Sequence, residues 1–327
     1  MREENANHTA QLSVRSARAL VSLVVIAAIA AWFLSAPRPL YPPGSVAAKQ
    51  LNATQKGDAE RGRHVFFAGG CAACHMTQGQ DDRLKLGGGL KLPSPFGAFT
   101  VPNISPHPDD GIGAWNTADL ANAMLAGVSP GGEHYYPAFP YVSYAHARLG
   151  DIADLLAFLR TLEPVAGKPP GHDLPFPFSI RRSLGLWKLL FFGGPDEIRP
   201  EAGKSDAWNR GHYIVEGIGH CNECHTPRNL LGGLDRSRRL AGAPNPEGKG
   251  RVPNITPDAT GIGKWTQGDI VELLASGFTP DYDSVGSSMA QVVKNTAQLP
   301  ATDRQAIAEY LRALPPIASA PRVKKAE

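Results

Sequence analysis

Charge is scarce in this chain. Asp, Glu, Lys and Arg make up 19% of its 327 residues, against roughly 25% in an average soluble domain. The net charge of +3 comes from the two ends: Arg2, Arg15 and Arg18 outnumber Glu3 and Glu4, and Arg322, Lys324 and Lys325 outnumber Glu327. The middle is close to neutral, so no basic field for nucleic acid exists. Cysteine is scarcer still, with four residues spent on two identical motifs, Cys71-Ala-Ala-Cys74-His75 and Cys221-Asn-Glu-Cys224-His225. None is left over for a disulfide framework or a catalytic thiol. Strand-like alternation of useful length is missing, which argues for helices. What the chain has in excess is Gly and Pro, 64 residues together, the mark of loop-rich domains. Its length suits about two domains of roughly 150 residues, each able to bury a core.

Only one long apolar run occurs, Ala19 to Ala36, uncharged for 18 residues between Arg18 and Arg38. That length just spans a bilayer core of about 30 Å, with Trp32 near one interface. A cleaved signal peptide has a shorter apolar core, about 7 to 15 residues, and a small-x-small end that Leu34-Ser35-Ala36 matches poorly. A retained anchor is expected, with the body on the outer face by the positive-inside rule. The following Pro37–Gly44 segment reads as a stiff spacer.

The chain is internally duplicated at a shift of about 150 residues. Arg61-Gly62 matches Arg210-Gly211, Val101-Pro-Asn-Ile104 matches Val252-Pro-Asn-Ile255, and Gly111-Ile-Gly-x-Trp115 matches Gly261-Ile-Gly-x-Trp265. Each half closes with an amphipathic helix, Ile152, Leu155, Leu156 and Leu159 in one and Ile307, Tyr310, Leu311 and Leu314 in the other. Thr302-x-x-Gln305 and Thr266-x-x-Asp269 read as helix starts. Between the halves lies a Pro-rich segment, then an apolar-basic stretch from Ile180 to Phe192. It is expected to be a linker helix packed between the halves, with membrane or partner contact through Leu186, Trp187, Leu190 and Phe191 as the alternative.

Cys-x-x-Cys-His is the signature of covalent c-type haem attachment. Cysteines one helical turn apart each form a thioether to the porphyrin, and the adjacent histidine offers nitrogen to the iron. The residues expected to hold two haem c groups are Cys71, Cys74, Cys221 and Cys224, with His75 and His225 as proximal ligands. A four-cysteine zinc site fails on spacing, because 147 residues separate Cys74 from Cys221 where zinc pairs lie about 12 to 20 apart. Disulfides within each motif leave the two histidines unexplained.

Four methionines limit the sixth ligands. Met1 precedes the apolar run and Met76 adjoins His75, leaving Met124 and Met289. Met289, in a flexible Gly286-Ser-Ser stretch before the last helix, is assigned to the second iron. For the first, Met124, His134 and His146 stay open, as does a vacant position. Met/His ligation raises the potential and suits electron transfer, whereas an open site binds small molecules. The imidazoles need an acceptor at their other nitrogen, for which the carbonyls of Pro102 and Pro253 in the Pro-Asn steps with Asn103 and Asn254 are proposed. Trp115 and Trp265 are candidates to donate to haem propionates or to close the core.

At these residues, and at Tyr136-Pro-Ala-Phe-Pro-Tyr141, His220–Arg228 and Gly261–Trp265, the chain resembles the cytochrome c subunits of membrane-bound, periplasm-facing dehydrogenases acting on alcohols, gluconate and related substrates. The resemblance runs from Asp58 to Pro316. It implies an electron-transfer subunit rather than an enzyme. Such a subunit takes electrons from a flavin, quinone or molybdenum dehydrogenase and passes them to quinone, a soluble cytochrome or an oxidase. Many relatives carry three haem motifs where this chain has two, and often have Met in place of Phe139, which removes an expected ligand of the first iron. The expected organisation is all-α: cytoplasmic N-terminus 1–18, transmembrane helix 19–36, spacer 37–57, cytochrome c-like domain 58–166, linker with amphipathic helix 167–205, second domain 206–316 and flexible tail 317–327. The expected location is the inner membrane, with both haem domains on the periplasmic face. The rival expectation is a dihaem peroxidase or thiosulfate-oxidising cytochrome working at an open or weakly ligated first haem.

Overall fold

The computed structural model of the chain describes residues 2–245 and 250–320. It begins with one long helix, α1 (Arg2–Leu34). The stretch Ser16–Leu34 has a mean hydropathy of 2.2 and none of it is buried. The helix stops at Leu34 rather than Ala36, where Ser35 Oγ turns back to donate to the Trp32 carbonyl at 3.1 Å and Pro37 follows.

The first half then comprises α2 (Val46–Thr54), α3 (Ala59–Ala68), α4 (Cys71–His75), a hairpin of β1 (Lys91–Ser94) and β2 (Gly97–Thr100), α5 (Thr117–Ala126), α6 (Tyr141–Tyr144) and α7 (Leu149–Leu159). The linker contributes α8 (Ser183–Phe191). The second half repeats the order with α9 (Asp206–His212), a π-helical turn (Tyr213–Ile218), α10 (Asn222–His225), β3 (Ala243–Pro244) with β4 (Arg251–Val252), α11 (Gln267–Ser276), α12 (Ser287–Thr296) and α13 (Ala301–Arg312). The fold is mostly helical. The two antiparallel hairpins correct the all-helical expectation, and their strands, four and two residues long, are too short for alternation to register in sequence.

Each half is built on one helix crossing. Gly62 of α3 lies so close to α7 that a Cβ there would stand 1.9 Å from the Asp154 carbonyl oxygen, and Gly211 of α9 stands in the same relation to Ala306 of α13 at 2.0 Å. Only glycine permits this approach. An arginine pins each crossing: Arg61 Nε reaches Asp154 Oδ2 at 2.7 Å and Arg210 Nη2 reaches Asp303 Oδ2 at 2.7 Å. The apolar faces read from the sequence are buried, with Ile152, Leu155, Leu156 and Leu159 at 3% exposure or less. Capping boxes start α5 at Asn116 and Asp119 and α11 at Thr266 and Asp269. The box expected at Thr302 is absent: α13 begins two residues earlier, with Pro300 as its cap and Ala301 as its first residue, and the carbonyl of Pro300 takes the amides of Asp303 and Arg304.

Most buried apolar residues of both halves form one contiguous cluster, and Phe99, Tyr136 and Leu184 form a small second one. The linker helix makes contacts of its own with both halves. Trp187 Nε1 donates to the Leu231 carbonyl at 2.8 Å and the Phe191 ring covers Gly233. On the other side, Lys188 Nζ donates to the carbonyls of Ala126 and Gly127 at 2.7 and 2.8 Å, closing the C-terminal end of α5. Leu189 and Leu190, at 55% and 70% exposure, are not taken up in this packing. The chain also stays tied down past residue 316: the Ile317 carbonyl accepts from Asn254 Nδ2 at 2.7 Å and Ser319 Oγ donates to Ala241 O at 3.0 Å. The rest of the expected tail, 321–327, lies outside the described residues.

Candidate functional site

Both Cys-x-x-Cys-His motifs form short helical turns, α4 and α10, that put the two cysteines of a motif about one turn apart. Burial pushes the thiols of Cys71 and Cys221 up to about 12. Each histidine is held from behind. His75 Nδ1 donates to the Pro102 carbonyl at 2.9 Å, and His225 Nδ1 donates to the Pro253 carbonyl at 2.8 Å. This bond fixes the tautomer and leaves the Nε2 lone pair free to coordinate a metal. Burial lowers both imidazoles, His75 to about 4, the Pro102 carbonyl opposing in part. His75 is therefore neutral near pH 7, the form a metal ligand needs, and burial biases His225 the same way.

The carbonyls reach the rings because of what lies around them. Asn103 Nδ2 donates to Val165 O at 2.7 Å while its Oδ1 accepts from Ser105 N at 2.8 Å; Asn254 donates to Ile317 O and accepts from Thr256 N, again at 2.7 and 2.8 Å. The asparagines thus anchor the Pro-Asn-Ile loops. A second strand of backbone crosses behind each ring, with Gly88 N donating to His75 O at 2.9 Å and Gly242 N to His225 O at 2.8 Å. Both glycines have positive φ, +71° and +83°, and a Cβ would stand 2.5 Å from Pro102 O and 2.9 Å from Asn254 N. Neither glycine was singled out in the sequence. The signal that could have found them is the pair of Leu-x-Gly steps, Leu86-Gly-Gly88 and Leu240-Ala-Gly242, whose leucines are fully buried.

The surroundings fit haem. Cys71 and Cys221, Ile104 and Ile255, and Trp115 and Trp265 are matched pairs of apolar side chains, partly buried and packed against the core, a lining whose chemistry suits a flat apolar ring. Among the described residues no three His, Cys, Asp or Glu side chains converge on a bare metal ion.

The remaining candidates fall in different places. Met289 lies in the first turn of α12 rather than in a flexible stretch, and is partly buried. Helix α12 packs on both α11 and α4, the turn of the first motif. Met124 is buried within α5 as part of the core. His134 is buried 99 residues from its partner in sequence, donating through Nε2 to the Ser35 carbonyl at 2.9 Å at the end of α1. His146 donates through Nδ1 to Asp196 O at 2.6 Å.

The two motifs touch. His220, the residue before Cys221, donates through Nε2 to the Gly69 carbonyl at 3.1 Å, two residues before Cys71. Tyr144 donates to the same oxygen at 3.0 Å and meets the His220 ring edge-on at 5.5 Å. Ser143 Oγ donates to Oε1 of Glu223, inside the second motif, at 2.7 Å.

Comparison with known proteins agrees with this geometry. A family model described as cytochrome c matches residues 59–163. A diheme cytochrome c-type protein of Cereibacter sphaeroides is 53% identical over 305 residues, 93% of this chain and 99% of that protein. The fructose dehydrogenase cytochrome subunit of Gluconobacter japonicus is 40% identical over 260 residues, 78% of this chain but 52% of the subunit. The gluconate 2-dehydrogenase cytochrome c subunit of Pantoea cypripedii is 33% identical over 282 residues, 83% of this chain and 63% of the subunit. The chain thus spans 52% and 63% of the length of these two dehydrogenase subunits. With two Cys-x-x-Cys-His turns in matched settings and these relatives, the chain belongs to the cytochrome c family, as an electron-transport protein with two covalently bound haem c groups and not an enzyme.

Proposed function

We propose that this protein is a membrane-anchored dihaem cytochrome that relays single electrons from a dehydrogenase partner into the respiratory chain. In this reading residues 58–166 and 206–316 are tandem haem domains, carried on the outer face of the membrane by the apolar stretch of α1. Haem supplies one-electron chemistry, the iron cycling between ferric and ferrous forms. The polypeptide does the rest. Cys71, Cys74, Cys221 and Cys224 tether the rings by thioethers, His75 and His225 ligate through Nε2, and Pro102 and Pro253 hold the imidazoles in orientation. Met289, in the first turn of α12, would supply the remaining ligand to the second haem. For the first, Met124, His134 and His146 stay candidates beside an open position, with one ring nitrogen of His134 held by Ser35 and one of His146 by Asp196. The single observation that carries the relay is the contact between the motifs through the Gly69 carbonyl, which brings the two attachment turns within one hydrogen bond of each other.

Donor and acceptor follow the relatives: a dehydrogenase of flavin, quinone or molybdenum type on one side, and quinone, a soluble cytochrome or an oxidase on the other. The test is respiration of membranes from a strain lacking the chain, supplied with alcohols, fructose or gluconate and complemented with wild type or His225→Ala. Wild type restores oxygen uptake on the partner's substrate and His225→Ala does not; full restoration by His225→Ala would defeat the relay. The oxidised absorption spectrum separates this from a peroxidase: two low-spin haems indifferent to peroxide are expected.

A further inference from the structure

The duplication slips by one residue. Arg61 and Cys71 are ten positions apart, Arg210 and Cys221 eleven. The structure absorbs the extra residue as the π-helical turn Tyr213–Ile218, the form an inserted residue takes inside a helix. Within that turn, at 7% exposure, sits Glu216. Its carboxylate accepts from Tyr310 Oη at 2.7 Å and from the side chain of Asn222, the residue after Cys221, and Arg239 Nη1 stands 3.4 Å away. The first half has nothing like it. Between Ala59 and Met76 the one acid is Glu60, which is exposed. Phe66, Phe67 and Phe158 fill the interior, the first and last with centroids 5.2 Å apart, and Ala72 stands where Asn222 does. The buried Asp154 and Asp303 are matched across the halves by Arg61 and Arg210, whereas Glu216 and Glu223 have no acidic counterpart in the first half; Glu223 is paired with Arg228 and its side chain is 10% exposed, leaving Glu216 the more deeply buried of the two.

We propose that Glu216 lowers the reduction potential of the second haem selectively, by placing a buried negative charge under the Cys221–Cys224 attachment turn. The inference rests on the two-haem reading above. Reduction adds one electron to ferric iron and no proton, so the site loses one positive charge, and a nearby anion disfavours that change. The counter-charge does not cancel it. The Arg239 side chain is 43% exposed and screened by water, whereas Glu216 is 7% exposed, and charges interact far more strongly through protein than through solvent. The field already reaches the turn: after burial, the Glu216 carboxylate is the next cause that pushes the Cys221 thiol up, and it opposes the burial that lowers His212.

The experiment is a spectroelectrochemical titration of the full-length holoprotein, with the haems assigned through single-haem Cys→Ser variants. Glu216→Gln is expected to shift the reduced-to-oxidised ratio of the second haem about three- to tenfold toward reduced at fixed potential and to leave the first unmoved. Arg239→Gln, which uncovers the carboxylate, is expected to shift the second haem the opposite way. Tyr310→Phe keeps the charge and is expected to move it less than Glu216→Gln. An unmoved second haem, equal shifts at both haems, or the same sign for Glu216→Gln and Arg239→Gln would overturn the proposal. Should Glu216→Gln fail to retain haem, the sign at Arg239→Gln decides. If the wild-type mass lacks haem at Cys221 and Cys224, it is the two-haem reading that fails.

Discussion

The two halves share a scaffold and differ in what covers it. Each has the glycine crossing, the Arg–Asp pair, the His–Pro bond, the asparagine anchor and a capped helix ending in a left-handed glycine, Gly127 or Gly277. After that glycine each makes the same tight loop, closed by the Val128–His134 bridge in one half and Phe278–Ser284 in the other. In the first half the loop is roofed. His134 bonds to the end of α1, Lys188 bonds to Ala126 and Gly127, and nine residues of α5 are buried. In the second half only Ile270 and Leu274 of α11 are buried, and Phe278 and Tyr282 are 53% and 93% exposed. A duplicated unit thus keeps its attachment chemistry, which is internal to each copy, and diverges where copies meet different neighbours.

The strongest way to break the equivalence is to remove one attachment at a time. Cys71→Ser with Cys74→Ser, or Cys221→Ser with Cys224→Ser, is expected to cost one covalent haem each by intact mass, and either pair to abolish electron flow to the acceptor. Gly62→Ala and Gly211→Ala force a Cβ to within about 2 Å of a carbonyl oxygen, and each is expected to destabilise by about 3 kcal/mol or more in denaturant titration; unequal costs would mean the crossings are not interchangeable.

Lys188 sharpens the contrast in pH. Burial pushes its ammonium down to about 7 from 10.5, so between those values the unfolded chain binds the proton that the folded chain has released. Stability contributed by this group therefore rises with pH from about 7 to 10.5, and below 7 its burial cost is at full size. Lys188→Met is expected to flatten that rise in thermal melts at a series of pH values. The smallest effect lies at the loops: His134→Ala is expected to cost about 1 kcal/mol through the lost bond to Ser35, and its counterpart Ser284→Ala under about 0.5 kcal/mol.

Much of the site was legible because its chemistry is local. A Cys-x-x-Cys-His turn needs five consecutive residues, and a duplicated motif in duplicated surroundings pointed to the Pro102 and Pro253 carbonyls that hold the two imidazoles. The helices of the core followed from a period of 3.6, since Ile152, Leu155, Leu156 and Leu159 bury one face whatever they pack against. Positions set by few local rules were misread: Met289 proved helical, and α13 took its start from Pro300 rather than Thr302.

The sequence by itself determined that two haem c groups are carried and named the sulfurs and imidazoles proposed to hold them, because covalent attachment and ligation draw on short stretches of chain. Only the tertiary structure decided what lies next to each attachment: that His220 and Tyr144 meet at Gly69, that His134 closes the exit of α1, and that Glu216 faces Tyr310, 94 residues on. Such neighbours are chosen by burial summed over the whole chain, and no window of sequence contains that sum.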